Sequence, residues 1–263
     1  IPTPIGNMDD ITLRAIKTIE NVDFLLTEDT RVTGLLLNHL NIKKKMYANH
    51  EHNEEKNKEL VLEALRSGKN IGLVSDRGTP VISDPGFEIA KFVIENGYNV
   101  IGLPGATALI PALIVSGLDP MPFLYFGFLN SKNSQRDKEL EQLKNNPYTI
   151  IFYEAPHRIE KTLLSMKNIL GNRKISISRE ISKKYEEIYR GTIEEVIEEI
   201  KEVKGELVVV VEGNKDEKIL TDNELLELIE DYIEDGDSSM EAIKKVAKLA
   251  HKPKNEIYNL YHK

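Results

Sequence analysis

A short apolar run leading into a loop stiffened by glycine and proline constrains this chain more than any other feature. Ile71 to Val74 reads as a buried strand entered from the turn Ser67-Gly68-Lys69-Asn70. It runs into Ser75-Asp76-Arg77-Gly78-Thr79-Pro80, and Asp84-Pro85-Gly86 precedes the next helical pattern. Gly78 can take a positive φ and lets a ligand approach the backbone closely. Pro80 and Pro85 fix φ and remove N–H donors, so the loop presents a selected set of backbone groups. Asp76 and Asp84 stand where an open α/β sheet has its ligand crevice, beyond the C-terminal ends of the strands. A tight connection whose glycines and prolines only make turns is the competing reading of the same residues.

Strand and helix patterns alternate around this loop. Thr3-Pro4-Ile5-Gly6-Asn7 is turn chemistry, and Asp10 or Thr12 caps a helix running to about Ile19. Phe24–Leu26 predicts a strand that delivers Glu28-Asp29-Thr30-Arg31 to a loop, followed by a helix carrying Leu35, Leu36, Leu37 and Leu40. Met46–Ala48 leads into His50-Glu51-His52, and a polar-faced helix spans Glu55–Arg66. After the loop come a helix over Phe87–Glu95, a strand over Val100–Leu103, and a helix opened by Pro104-Gly105-Ala106-Thr107-Ala108. This order predicts a parallel sheet with helices on both faces for residues 1–116.

Residues 117–122 read as a linker to a second α/β domain over 117–213 with a mixed sheet. Its strands are expected at Phe123–Phe128, Thr149–Tyr153, Lys174–Ser178 and Glu206–Glu212, its helices near 134–145, 157–169 and 192–202. A polar break at 213–218 precedes an all-helical tail over 219–263, with helices near 222–233, 239–249 and 254–262.

Composition narrows the chemistry. The 263 residues include no cysteine, which removes disulfides, thiol nucleophiles and Cys-bound zinc and fits a reducing cytoplasm. No apolar run approaches the roughly 20 residues a membrane helix needs. A few residues are expected to precede Ile1, which stands inside an apparent strand. A net charge of −8 argues against broad nucleic-acid binding, DNA included, so an RNA would be met by local basic patches. No G-x-G-x-x-G, P-loop or G-x-S-x-G motif is present. His50 and His52 could ligate a metal from a strand, but no third ligand accompanies them, and no metal is expected.

Five loops remain, each placed after a strand, and they converge on one edge if the first sheet is parallel. Their residues, with the flanking TPIGNMDDIT, EDTR, SDRGTPVISDPG, PGATA, EAPHR and REISKKYEE, resemble the signature series of the ribosomal RNA small subunit methyltransferase I family. That family belongs to the tetrapyrrole-methylase superfamily, whose fold holds S-adenosylmethionine between two α/β domains. The match spans nearly the whole chain in order. It implies 2′-O-methylation of a cytidine ribose in the decoding region of 16S rRNA in the small ribosomal subunit, by a cytoplasmic homodimer. By the same resemblance Pro4, Asp76, Gly78, Thr79, Ile82, Thr107, Ala108, Tyr153 and Ala155 bind the cofactor. The series departs from the family at Arg77, where members usually carry a small residue. Arg77 is expected to point to solvent or to RNA.

The physics of the reaction agrees with the resemblance. A sulfonium donor already carries an activated methyl, so the protein must chiefly align donor and acceptor. A ribose hydroxyl benefits from a general base or electrostatic support. Glu28, Asp29, Glu154, His157 and Glu180 are the candidates, each equally able to serve as a structural partner of Arg31, Arg158 or Arg179. For RNA the basic series Arg31, Arg158, Lys161, Arg179, Lys183, Lys184 and Arg190 stands against the commoner fate of charge runs, a solvated face. The tail divides by charge: residues 219–237 hold eight acidic and no basic side chains, while 238–263 hold six lysines against two glutamates. Ser238 or Ser239 is expected to cap a helix with Ala242, Ile243, Val246 and Ala247 inward, exposing Lys244, Lys245 and Lys248. Two such helices resemble a helix-turn-helix; a plain capping bundle is the alternative. A tetrapyrrole methyltransferase of the same fold and a non-catalytic RNA-binding scaffold are the rival functions.

Overall fold

A computed structural model describes residues 1–50, 54–215, 220–250 and 252–262. Glu51, His52, the centre of the polar break at 216–218, Ile219 and Lys263 lie outside the described residues, and with them the paired-histidine reading. The chain divides into two compact units, Ile1–Asn214 and Lys215–Lys263.

The first unit carries two sheets. Strands β1 (Phe24–Thr27), β2 (Met46–Ala48) and β3 (Ile71–Val74) form a parallel sheet in the order β2-β1-β3. The central strand β1 is buried along its whole length, as expected of a parallel strand covered on both faces. Helices α1 (Leu13–Asn21), α2 (Thr30–His39), α3 (Glu54–Arg66) and α4 (Phe87–Glu95) connect and cover it, and Thr12 and Asp29 cap the first two through their side chains. Helix α5 (Leu109–Ser116) ends at Gly117 in the left-handed conformation.

Two expectations are corrected in this half. Val100–Leu103 carries no ladder partner among the described residues, and Ile101 is 71% exposed. Apolar composition is not sufficient for a strand; the segment and the outer edge of β3 both line an apolar cavity of about 530 Å³ instead of pairing. The helix expected from Pro104 onward starts only at Leu109, leaving Pro104–Ala108 as a loop.

The second sheet has five strands in the order β4-β5-β8-β6-β7: β4 (Phe123–Phe128), β5 (Thr149–Glu154), β6 (Lys174–Arg179), β7 (Glu187–Thr192) and β8 (Leu207–Val211). It is mixed, with β4 parallel to β5 and the remaining pairs antiparallel. The all-aliphatic β8 lies at its centre with every residue buried. Helices α6 (Asn133–Leu143), α7 (Ile159–Leu170) and α8 (Ile193–Glu199) pack one face, where Phe152, Met166, Ile177 and Val209 share a core. The other face, with Ile151, Val208 and Val210, packs against Ala112 and Leu113 of α5 and against Ile5. Helix α5 and the N-terminal loop therefore pack on the second sheet. Strand β7 is not anticipated by the sequence reading, and α8 ends at Glu199 rather than near 202.

The second unit is a three-helix cluster of α9 (Asp222–Glu234), α10 (Ser239–Leu249) and α11 (Lys254–Tyr261) around Leu225, Ile229, Ile243, Val246 and Ile257. Thr221 with Glu224 and Ser238 with Glu241 form reciprocal capping boxes that start the first two helices.

Candidate functional site

The loops at the C-terminal ends of β1 and β3 are tied to one another by backbone and side-chain hydrogen bonds. Thr3 and Gly78 exchange a pair of backbone hydrogen bonds of 2.8 and 3.0 Å, and the Thr3 hydroxyl donates to the Ser75 carbonyl at 3.1 Å. The Thr79 hydroxyl donates to the carbonyl of Ala106 at 2.9 Å, and the Asp29 N–H donates to Asp76 Oδ1 at 2.9 Å. Gly78 holds φ at +78°, and a Cβ placed there would stand 3.3 Å from Ile5 and 3.7 Å from the Ala106 carbonyl oxygen. The positive φ, more than the space, is what favours a residue without a side chain there.

The second sheet closes the other side. The Tyr153 hydroxyl faces Thr107, the Leu109 backbone and the Tyr125 hydroxyl, and burial raises its proton affinity. Tyr125 and Ser83 share a hydroxyl–hydroxyl hydrogen bond of 2.7 Å. Lys183 lays its aliphatic stem over Gly6, where a Cβ would collide with it, and pairs at 2.8 Å with both Glu180 and Glu206. Arg77 reaches the same Glu206, half exposed at the rim, so it points away from the loop cluster. Gly78 and Thr79 thus meet the Pro104–Ala108 loop, and Tyr153 of the second sheet lies beside Thr107 of that loop.

Three carboxylates gather beside these loops. Burial raises both Glu28 and Asp76; the charges of Asp76 and Asp29 add to the effect at Glu28, and that of Asp29 at Asp76. Asp84 is pushed up to about 7, first by desolvation and then by the charges of Glu28 and Asp76, with only the Ser75 hydrogen bond opposing. Val81 and Ser83, flanking Ile82, hold φ at 77° and 63°, a strained path for residues with a Cβ.

The comparisons with known proteins bear on this arrangement directly. The family pattern described as Tetrapyrrole (Corrin/Porphyrin) Methylases matches residues 1–197. A "Ribosomal RNA small subunit methyltransferase I" of Bacillus subtilis is 48% identical over 270 residues, spanning 100% of this chain and 92% of that protein. The protein of the same name from Haemophilus influenzae is 42% identical, spanning 98% and 93%. The chain belongs to the ribosomal RNA small subunit methyltransferase I family, within the tetrapyrrole methylases. Among solved structures, a uroporphyrin-III C-methyltransferase from Thermus thermophilus complexed with S-adenosyl homocysteine aligns with a TM-score of 0.58 at 20% identity, over 81% of this chain and 95% of that one. A cobalt precorrin-4 methyltransferase aligns with a TM-score of 0.61 at 17% identity, over 81% and 92%. These two establish the tetrapyrrole-methylase fold.

Of the expected cofactor residues, Gly78, Thr79, Thr107 and Tyr153 lie along this junction of loops. Pro4 and Gly78 are buried, Asp76, Thr79, Thr107, Ala108, Tyr153 and Ala155 are half-buried, and Ile82 is exposed. The acid–base candidates separate by environment. Asp29 is held near 2 by its hydrogen bonds with Arg31, a firmly ionised pair at the surface. Glu154 is buried, and Arg158, Thr162 and the Ala155 N–H take up both of its oxygens. That saturation makes it an anchor for the strand end rather than a base. Burial works to raise Glu180, but Lys183 and the Glu206 backbone together hold it below the usual range. His157 is exposed on the 3-10 turn after β5. Glu28 alone of the five belongs to the cluster with raised proton affinity. Asp84, which the sequence places at the same edge, is the member missing from the candidate bases; its environment depends on a residue 56 positions away.

The basic candidates divide likewise. Arg158 is turned inward on Glu154 at 2.6 Å and on the Leu129 carbonyl, which corrects the expectation that it meets RNA. Arg179 is occupied by Glu187 and by the carbonyls of Lys204 and Tyr185, and Arg190 by the carbonyl of Val115. Lys161 and Lys184 are exposed, and Arg31 is exposed although paired. In the second unit Ala242, Ile243, Val246 and Ala247 are buried as expected, leaving Lys244 and Lys248 exposed one turn apart while Lys245 pairs with Asp237. Among the described residues no cluster of His, Cys, Asp and Glu could hold a metal, and no helix is long and apolar enough to cross a membrane.

Proposed function

We propose that this methyltransferase transfers a methyl group from S-adenosylmethionine to the 2′-hydroxyl of a cytidine in the decoding region of 16S rRNA, within the small ribosomal subunit. Family membership supplies the enzyme class and the donor. What supports the site is that the Gly78–Thr79 loop meets the loop carrying Thr107, with Tyr153 of the second sheet beside Thr107. These residues fit the donor. A cradle whose floor lacks a Cβ, with stiff backbone edges and a tyrosine wall, suits a ligand with an amino-acid end and a flat adenine.

S-adenosylmethionine, when bound, supplies an already activated methyl. The chain's own residues must align the acceptor hydroxyl and take its proton. Glu28 and Asp84 are the carboxylates best suited to that, because burial raises the proton affinity of both, that of Asp84 to about 7. Lys161 and Lys184 in the first unit and Lys244 and Lys248 in the second would meet phosphates. With a net charge of −8, binding then needs a shaped target that engages several patches together. We assign three regions, 1–116, 117–213 and 219–263, to cofactor loops, cleft closure and RNA docking, and place the protein in the cytoplasm as a homodimer.

The test is incubation with methyl-labelled cofactor and small-subunit particles lacking the modification, followed by digestion to nucleosides. Label in 2′-O-methylcytidine supports the reading. Label on a base, or transfer to a tetrapyrrole with none to RNA, overturns it.

A further inference from the structure

The end of β4 is built in an unusual way. Strand β4 pairs with β5 in strict parallel register as far as Tyr125 opposite Ile151, and the register then slips. Gly127 falls opposite Phe152 and Phe128 opposite Tyr153. Unbroken alternation would pair Phe126 with Phe152 and send Phe128 to the same side, under α6 and α7. The extra residue, taken up where Gly127 holds φ at 87°, instead turns Phe128 to the Tyr125 and Tyr153 side. Ring contacts agree: Phe126 meets Phe152 at 5.5 Å in the core, whereas Phe128 meets Tyr153 at 5.6 Å and Tyr125 meets Tyr153 at 5.2 Å. A side chain at 127 would also press on Ser83 from the strained loop, at 3.2 Å.

The consequence is a phenyl ring left 52% exposed beside Tyr153. Hydrophobic burial alone would favour the unbulged strand, which sends this ring to the core side. Its contact with Tyr153 is edge-to-face at 65°, so Tyr153 props the ring without stacking on it. The Tyr153 hydroxyl in turn faces Thr107, in the loop assigned to the cofactor, and the start of α5 at Leu109. A flat, rigidly supported, uncharged ring beside a methyl-transfer centre is what an unstacked nucleobase requires, since every base has a π-face and stacking needs no hydrogen-bond code.

We infer that Phe128 is the platform on which the base of the acceptor nucleotide stacks, holding the attached ribose at the cofactor loops. This positioning role rests on the rRNA reading above.

The experiment compares Phe128→Ala, Phe128→Leu, Phe128→Tyr and Phe128→Trp in the full chain, with small-subunit particles lacking the modification as acceptor. Methyl-transfer kcat/KM, S-adenosylhomocysteine affinity and Tm are read for each. Loss of a stacked base lowers kcat/KM by roughly 5- to 150-fold. Alanine and leucine should both show that loss, and tyrosine and tryptophan should restore most of the activity. Affinity for S-adenosylhomocysteine and Tm should stay close to wild type in all four. Leucine matching wild type would assign Phe128 to plain apolar packing and overturn the inference. A loss that follows cofactor affinity, or tryptophan as poor as alanine, would do the same. If the wild-type protein transfers nothing to the particles, the functional reading fails and the inference with it. Active wild type with indifferent variants removes only the platform.

Discussion

Replacing Glu154 separates structural from catalytic roles more sharply than any other single change. Glu154 is 3% exposed. Its Oε1 accepts from the Ala155 N–H at 2.7 Å and from Arg158 Nε at 2.8 Å, and its Oε2 accepts from Thr162 at 2.6 Å. Glu154→Gln keeps the shape but removes the charge opposite Arg158, whose side chain is 17% exposed and also held by the Leu129 carbonyl. Stranding one partner of a buried ion pair costs about 3–5 kcal/mol. The residual exposure of Arg158 points to the lower end, about 3 kcal/mol, or roughly 6–12 °C in Tm for a unit of this size. A double-mutant cycle with Arg158→Met, followed by thermal denaturation, should give a coupling of about 1.5–3 kcal/mol. The glutamine variant, assayed below its lowered Tm, should keep most of its methyl transfer. A variant of unchanged Tm whose turnover has collapsed would refute the reasoning and make Glu154 a reacting group.

Gly78→Val forces a β-branched residue to φ near +78°, and calorimetry should show S-adenosylhomocysteine affinity down by at least about tenfold with the fold retained. Unchanged affinity in a folded variant would remove this loop from the site. Asp84 has its folded proton affinity raised to about 7, above the unfolded value near 4, so its stability contribution is complete at low pH and is lost as pH rises from about 4 through about 7. Asp84→Asn should therefore raise Tm at pH 8 by a few degrees and change it little at pH 4; equal shifts at both pH values would contradict the assignment. Removing residues 215–263, a compact unit with its own core, should leave S-adenosylhomocysteine affinity near wild type and weaken transfer to particles, by a margin that shrinks with added salt. A truncation that lowers Tm and cofactor affinity together would favour the capping-bundle reading.

Much of this organisation is written locally. Strand β8 is an unbroken aliphatic run and β1, β3 and β5 each hold a shorter apolar one, and helix starts at Thr12, Asp29, Thr192, Thr221 and Ser238 coincide with side-chain caps. Strand β7, EIYRGT, escapes because it is an edge strand with charged and polar residues at half its positions, paired only to β6. Val100–Leu103 misleads for the opposite reason: it has strand-like composition but no neighbour in ladder register. At the site, the convergence of loops follows from parallel strands alone, whereas the proton affinity of Asp84 does not. That depends on Glu28 and Asp76 arriving from other loops. The Glu154–Arg158 pair stands at a local spacing of four and is legible once Glu154 is placed at a strand end. The bulge at Gly127 carries the usual sign of an isolated glycine inside a strand pattern.

The central claim is that the donor lies in the cleft between the Gly78 loop and Tyr153. A crystal structure with S-adenosylhomocysteine measures this directly. The account predicts the ligand against Gly78 and Thr79, bounded by Thr107 and Tyr153, with its sulfur facing the open side near Phe128 and Asp84. Ligand density instead in the apolar cavity of about 530 Å³ beside Gly72 and Leu103, or anywhere away from Gly78, would contradict it.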